Sequence, residues 1–269
     1  MADPVARPRH PDPREPGGFL LLACQSGAEP TVAASALAAL PAASRGAWRR
    51  GFVTLKLPDA VPAALPDLPF ARAAVRCYGQ VQGDTPAALA AAAAARAHGG
   101  WQAIHAWPRV PDVEADIPAI TAALAAACGL SGQPRPPRPG DLVLDCLVDA
   151  VDRWWVGWHR ATSPATCWPG GTYPRTLPVD SVSRAWLKLD EALATFEVPL
   201  ERGQRVLELG AAPGGACQRL LEAGLQVTGV DPAVIDPRVA THDRFTHWRL
   251  RARDVRLRPA AASTGSSPT

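Results

Sequence analysis

The sequence predicts an α/β protein, with a doubly wound, nucleotide-binding βαβ unit near its C-terminus and an α+β region ahead of it. Three observations carry that expectation. Arg205-Val-Leu-Glu-Leu-Gly210 is a short apolar run suited to a buried parallel strand. Ala211-Ala-Pro-Gly-Gly215 then joins small residues that let backbone and ligand approach closely. Upstream, from Phe19 to Cys128, strand-like and helix-like segments alternate.

Composition bounds the answer without naming it. A chain of 269 residues, 47% hydrophobic, suits one large domain or two small ones. The formal charge of +3 names no partner. Of the 28 basic residues only Lys56 and Lys188 are lysines, so each lysine merits scrutiny. Six scattered cysteines (Cys24, Cys77, Cys128, Cys146, Cys167 and Cys217) form no C-x-x-C pair. That argues against a zinc site and a disulfide framework, and a reduced cytoplasmic protein is expected. Leu21-Leu22-Ala23-Cys24 imitates a lipoprotein site, but the apolar run before it is too short for a signal segment. No run of about 18 apolar residues is present, so no membrane partner is expected.

In chain order, residues 1–18 read as a disordered leader rich in Pro, Arg and Asp. Phe19–Gln25 reads as a buried strand, Thr31–Leu40 as a helix and Gly51–Leu57 as a strand. Thr85–His98 is almost pure alanine and strongly helical. Trp101–Trp107 resumes strand character, and Ile117–Cys128 is a helix ended by Gly129. Ser131–Gly140 is a proline-rich linker. Asp141–Ala150 and Arg153–Thr162 read as a hairpin. Its second strand carries Trp154, Trp155, Trp158, His159 and Arg160. Such residues can stack bases and hold phosphates, although packing of the sheet is the favoured reading.

The cofactor segment is more specific. After Gly210 to Gly215, Ala216–Ala223 reads as a helix ended by Gly224, and Gln226–Val230 as a strand closing on Asp231. The loop departs from the G-x-G-x-x-G spacing of dinucleotide binders, so no pyrophosphate cradle is expected. That disfavours a nicotinamide-dependent oxidoreductase. Glu208 at the strand end could order the loop or meet an ammonium group. Asp231 is placed to accept hydrogen bonds from ribose hydroxyls.

The string LELGAAPGGACQRLL, followed by VTGVDP, resembles the first motifs of the FtsJ-like ribose 2′-O-methyltransferases. Upstream, DSVSRAWLKLDEAL resembles the helix that carries the first lysine of that family's Lys-Asp-Lys-Glu set. FLLLACQSGAEPTVAASALAA, LPFARAAVRCYG and the hairpin with its PGG stretch look like the RlmM-type branch. The likeness covers about residues 19–258 and is strongest at 181–231. It implies a class I (Rossmann-like) methyltransferase domain preceded by an α+β, THUMP-like RNA-binding region. The corresponding domains are 19–162 for RNA binding, 163–182 as a connecting segment and 183–258 for the methyltransferase. By the same resemblance the cofactor is S-adenosyl-L-methionine and the partner large-subunit (23S) ribosomal RNA. DNA is not an expected partner, and a monomer is expected. The implied cofactor residues are Ser183, Glu208, Gly210, Ala211, Ala212, Pro213, Gly214, Gly215, Asp231 and Asp254.

Methyl transfer to a ribose hydroxyl requires oxygen, methyl carbon and sulfur in line, and removal of the hydroxyl proton. A lysine can assist that proton loss or orient the hydroxyl. Ser183 is the expected N-cap of a helix over Arg184–Phe196, with Ala185, Leu189, Ala192, Leu193 and Phe196 as its apolar stripe. Lys188 lies off that stripe near Arg184 and Glu191, where a solvated face would be ordinary. By resemblance, Lys188 falls on the family's first catalytic lysine.

The family's pattern continues past a third strand, here expected at Thr246–Arg251, to a catalytic Asp, a second Lys and a Glu. This sequence offers Arg253-Asp254-Val255, whose Asp resembles the adenine-end ligand, and then runs from Ala260 to Thr269 with no further lysine. The resemblance therefore implies a domain incomplete at its C-terminus, inactive, and poorly soluble through an open strand edge. Residues 259–269 read as an aberrant or disordered tail. One codon choice for Pro259–Thr269 encodes, in another frame, Arg-Arg-Arg-Phe-Asp-Trp-Leu-Leu-Ala-Asp, a strand-then-Asp segment compatible with a frameshift. The competing expectation is a non-catalytic RNA-binding protein using residues 19–162 with Arg244, Arg249, Arg251, Arg253, Arg256 and Arg258.

Overall fold

The computed structural model describes residues 18–58, 68–97, 100–130 and 135–256. The leader before Gly18, the tail over 259–269, residues 131–134 of the linker, His98 and Arg258 lie outside the described residues. Contacts divide the chain into two units, Met1–Pro174 and Arg175–Thr269. The segment expected to connect two domains is therefore shared between them. No helix among the described residues is long and apolar enough to cross a membrane.

The first unit runs β1 (Phe19–Cys24), α1 (Glu29–Ala39), β2 (Ser44–Arg49), β3 (Phe52–Lys56), β4 (Ala71–Gln82), α2 (Pro86–Arg96), β5 (Ala103–Pro108), α3 (Ile117–Ala127), β6 (Leu142–Ala150) and β7 (Arg153–Arg160). The strands make one sheet in the order β2-β3-β1-β4-β7-β6-β5. Neighbours are antiparallel except the parallel pair β5–β6. Both alanine-rich helices start at side-chain caps: Thr85 accepts from the Ala88 amide and Asp116 from the Ala119 amide. Their first turns each carry a proline, which needs no hydrogen-bond partner there.

These helices bury Leu89, Ala93, Ile120 and Leu124 against Leu144, Cys146, Val148, Trp154 and Val156 of the sheet. A second cluster sets Val32 and Ala36 of α1 against Leu20, Leu22, Val53 and Leu55. Strand alternation sends Leu21, Phe52, Val75, Trp107 and Leu147 into a separate cluster. Trp154 is fully buried and cannot stack a base, which corrects the base-stacking option at that residue. Trp155 meets Phe52 edge-on, and the Arg76 guanidinium lies 5.0 Å from the centre of the Trp158 ring. The two tryptophans thus have protein partners on the sheet.

The second unit runs α4 (Ala185–Thr195), β8 (Arg205–Leu209), α5 (Gly215–Glu222), β9 (Gln226–Val230), α6 (Pro237–Ala240) and β10 (Phe245–Trp248). Its described strands pair in parallel in the order β10-β9-β8. α5 packs Cys217, Leu220 and Leu221 against Val227, with Ile235 and Val239 closing the cluster.

Ser183 caps the helix start as expected: Arg184 already has helical dihedrals, and the Ser183 hydroxyl accepts from the Ala185 amide at 3.3 Å. The apolar stripe expected for α4 needs correction. The buried positions of α4 are Trp186 and Asp190, while Phe196 is 75% exposed. Leu189 alone of the expected stripe packs against the buried cluster. The stripe is displaced because a buried carboxylate, not an apolar residue, follows Trp186 at the next turn.

Candidate cofactor-binding site

The loop from Gly210 to Gly214 lies at the C-terminal end of β8, where open α/β sheets bind their ligands. Its course is set by the end of β9. The amides of Gly210 and Ala211 both donate to the Val230 carbonyl, at 3.0 and 3.3 Å. Asp231 then receives the Ala212 amide on one carboxylate oxygen at 3.1 Å and the Ala233 amide on the other at 2.8 Å. Those two amides hold the Asp231 carboxyl below its usual range. The Pro213 carbonyl accepts from the Asp236 amide at 2.9 Å, and the Ala212–Pro213 peptide is cis. Each carboxylate oxygen of Asp231 keeps a further lone pair, so the group can accept from a pair of hydroxyls while ordering the loop.

Gly214 has φ +121° and directly precedes α5. At Gly215 the constraint is space. A Cβ there would collide with the Ser183 hydroxyl, and would stand 2.9 Å from the Ser183 carbonyl oxygen and 3.1 Å from the Trp186 amide. The start of α5 therefore touches the start of α4 backbone to backbone. Gly215→Ala is expected to destabilise this unit by about 1–3 kcal/mol, since neither neighbour is a flexible side-chain end. Urea unfolding measures the loss, and an unchanged midpoint would contradict so tight a contact.

Of the other expected site residues, Glu208 is half-buried on β8, and burial raises its carboxyl above the usual range. Lys188 is exposed on α4, two residues after buried Trp186 and two before buried Asp190. Asp254 is exposed on a 3-10 turn over Ala252–Asp254. Thus Ser183, the loop and Asp231 are tied together by contacts, whereas among the described residues Asp254 has Arg253 alone as an ion partner, at 3.9 Å.

One supporting cluster escaped the sequence reading. Asp190 is 2% exposed and joins Arg219 of α5 at 2.6 Å and Arg175 at 2.7 Å. Arg219 also lies over Trp186, whose indole N–H donates to Glu222 at 2.8 Å. An acidic residue four positions after a tryptophan, inside an apolar helix, was the available signal.

Residues 181–260 match the model of the FtsJ-like methyltransferase family. A protein of Halorhodospira halophila described as Ribosomal RNA large subunit methyltransferase M is 29% identical over 256 residues, covering 87% of this chain and 73% of its own. Its namesake from Xanthomonas oryzae pv. oryzae is 29% identical over 274 residues, covering 90% of this chain and 75% of its own. The crystal structure of TrmN from Thermus thermophilus aligns with a TM-score of 0.39 at 15% identity, over 80% of this chain and 66% of that one. That last similarity is too low to bear on the fold.

Proposed function

We propose, from the premise that this chain is a member of the FtsJ-like methyltransferase family, that its residues serve methylation of a ribose 2′-hydroxyl of large-subunit ribosomal RNA; methyl incorporation by the wild-type chain decides between this activity and the inactivity expected from the sequence. The observation that carries the reading is the small-residue loop whose backbone is ordered by Asp231. S-adenosylmethionine, when bound, supplies an activated methyl group. The chain's own part is to hold and orient. The loop from Gly210 to Gly215 offers close backbone approach without a pyrophosphate cradle. Asp231 accepts from ribose hydroxyls of the cofactor, and Glu208, at the strand end, orders the loop or meets an ammonium group. Ser183 braces the loop from just ahead of α4, and Asp254 holds the adenine end. Lys188 orients the RNA hydroxyl or assists loss of its proton.

Two measurements test these roles. Asp231→Ala is expected to weaken S-adenosylmethionine binding roughly 10- to 100-fold in calorimetry, the effect of losing hydrogen bonds to a charged acceptor. NAD should give no heat with either protein; binding of NAD to the wild-type chain would overturn the cofactor reading. Lys188→Met should leave that affinity unchanged and lower methyl incorporation into unmodified ribosomal RNA by about 10²–10⁴-fold. Incorporation equal to wild type would remove Lys188 from the chemistry. Mapping the product by alkaline hydrolysis resistance distinguishes a ribose methyl from a base methyl.

A further inference from the structure

The geometry points to a divalent-metal site, of the kind zinc occupies, built from His105, Asp145 and His159 in the first unit. The three come from adjacent strands β5, β6 and β7. His105 stands directly opposite Asp145 in the parallel pair, and His159 stands opposite Val143, two residues along and on the same face. One potential ligand atom from each lies within 4.8 Å of the other two. His105 and Asp145 side chains are each 2% exposed, and that of His159 is 13% exposed.

The backbone decides which ring nitrogen each histidine offers. His105 Nε2 lies 3.2 Å from the Cys167 carbonyl oxygen, and His159 Nε2 lies 2.8 Å from that of Thr166. A carbonyl only accepts, so both rings carry hydrogen on Nε2 and turn Nδ1 toward Asp145. Metal-bound histidines are held in this way, with the outer N–H fixed by a carbonyl.

A proton alone leaves the cluster half satisfied. His159 Nδ1 is 2.5 Å from one Asp145 oxygen, a distance bridged by a single hydrogen. His105 Nδ1 is 3.6 Å from the other oxygen, beyond hydrogen-bond range, and has no hydrogen-bond partner among the described residues. With its Nε2 given to the Cys167 carbonyl, the Nδ1 of His105 faces a buried carboxylate without a hydrogen bond, an unfavourable arrangement in a dry interior. A divalent cation between the three atoms satisfies all of them by replacing the shared hydrogen. Two imidazole nitrogens and one carboxylate suit zinc and its neighbours, and no thiolate is required. Bonds of about 2.0–2.2 Å ask the His159–Asp145 pair to open to roughly 3 Å, a side-chain adjustment.

Three protein ligands leave a fourth position. It opens on a cavity of ≈ 30 Å³ lined by Arg72, Thr166, Trp168, Gly170 and Gly171. That volume accommodates a water molecule. The lid of the cavity is the segment Ala165–Gly171, two short 3-10 turns. Gly171 has φ +64°, and a Cβ there would strike the Arg72 carbonyl, so the segment lies directly on the sheet. The ion would staple this segment to β5, β6 and β7 through the two carbonyls.

The test uses the full chain, stripped with chelator and titrated with Zn²⁺ by calorimetry. One ion per chain and a melting temperature raised by several degrees are expected. Co²⁺ should give visible d–d bands without a thiolate charge-transfer band. His105→Gln keeps a donor for the Cys167 carbonyl and should weaken Zn²⁺ binding by at least about 100-fold, the upper end of what outer-shell changes cost. Absence of stoichiometric binding to the wild-type chain overturns the site and leaves a hydrogen-sharing ion pair. A thiolate band, or unchanged affinity in a folded His105→Gln protein, overturns it equally. If that variant fails to fold, the wild-type Co²⁺ spectrum still decides.

Discussion

Trp154→Ala is expected to destabilise the first unit by about 3–5 kcal/mol, the usual cost of truncating a buried aromatic residue to alanine. Trp154 is fully buried on β7, in the cluster that joins the central strands to α2 and α3. Its strand neighbours Leu144, Cys146, Val148 and Val156 are held in sheet register and cannot collapse far into the space left. Trp154→Phe should recover most of the loss. The indole N–H has no hydrogen-bond partner among the described residues, so phenylalanine forfeits volume but no polar contact. Urea unfolding of the three proteins measures both differences, with unchanged m-values as the condition for comparing midpoints. An alanine variant within about 1 kcal/mol of wild type would mean that the core relaxes around the cavity.

What was legible in the sequence was local. The strand, loop and helix over Arg205–Glu222 were visible because their signals are contiguous: an apolar run, small residues, then a helical pattern. α2 and α3 were visible because alanine dominates them. β4, the longest strand, was not identified, because its twelve residues do not alternate cleanly. A register shift between Cys77 and Gly79 breaks the period, and arginines at 72 and 76 interrupt the apolar positions. β2 escaped because it is an edge strand with mostly exposed side chains.

The missed polar clusters share one cause. Asp190 meets Arg175 and Arg219 at sequence separations of 15 and 29 residues, and His159 meets Asp145 at 14. No local period encodes such pairs. Cysteine spacing, the sequence signal used for metals, is blind to a site made of two histidines and a carboxylate on adjacent strands. Strand pairing alone brings those residues together.

Asp190→Ala carries the largest expected effect in the second unit, at about 3 kcal/mol, the low end for breaking a buried ion pair by removing one partner. The carboxylate is 3% exposed as a side chain, whereas Arg219 is 20% exposed and Arg175 58% exposed. Water can therefore compensate Arg175 almost completely, and its share of the loss is small. Arg219 is different: it loses its acceptor while still stacked on Trp186. The consequence reaches the loop, because α4 and α5 are joined by this carboxylate and touch again where Gly215 meets Ser183. Asp190→Ala should thus weaken S-adenosylmethionine binding, which Lys188→Met should not, although both positions lie on α4 outside the loop. A double variant, Asp190→Leu with Arg219→Met, removes both charges together and should be more stable than Asp190→Ala alone. Calorimetric titration and urea unfolding of the single and double variants separate the two costs. A double variant less stable than the single would show that packing of the arginine stem over Trp186, and not the unpaired charge, dominates the loss.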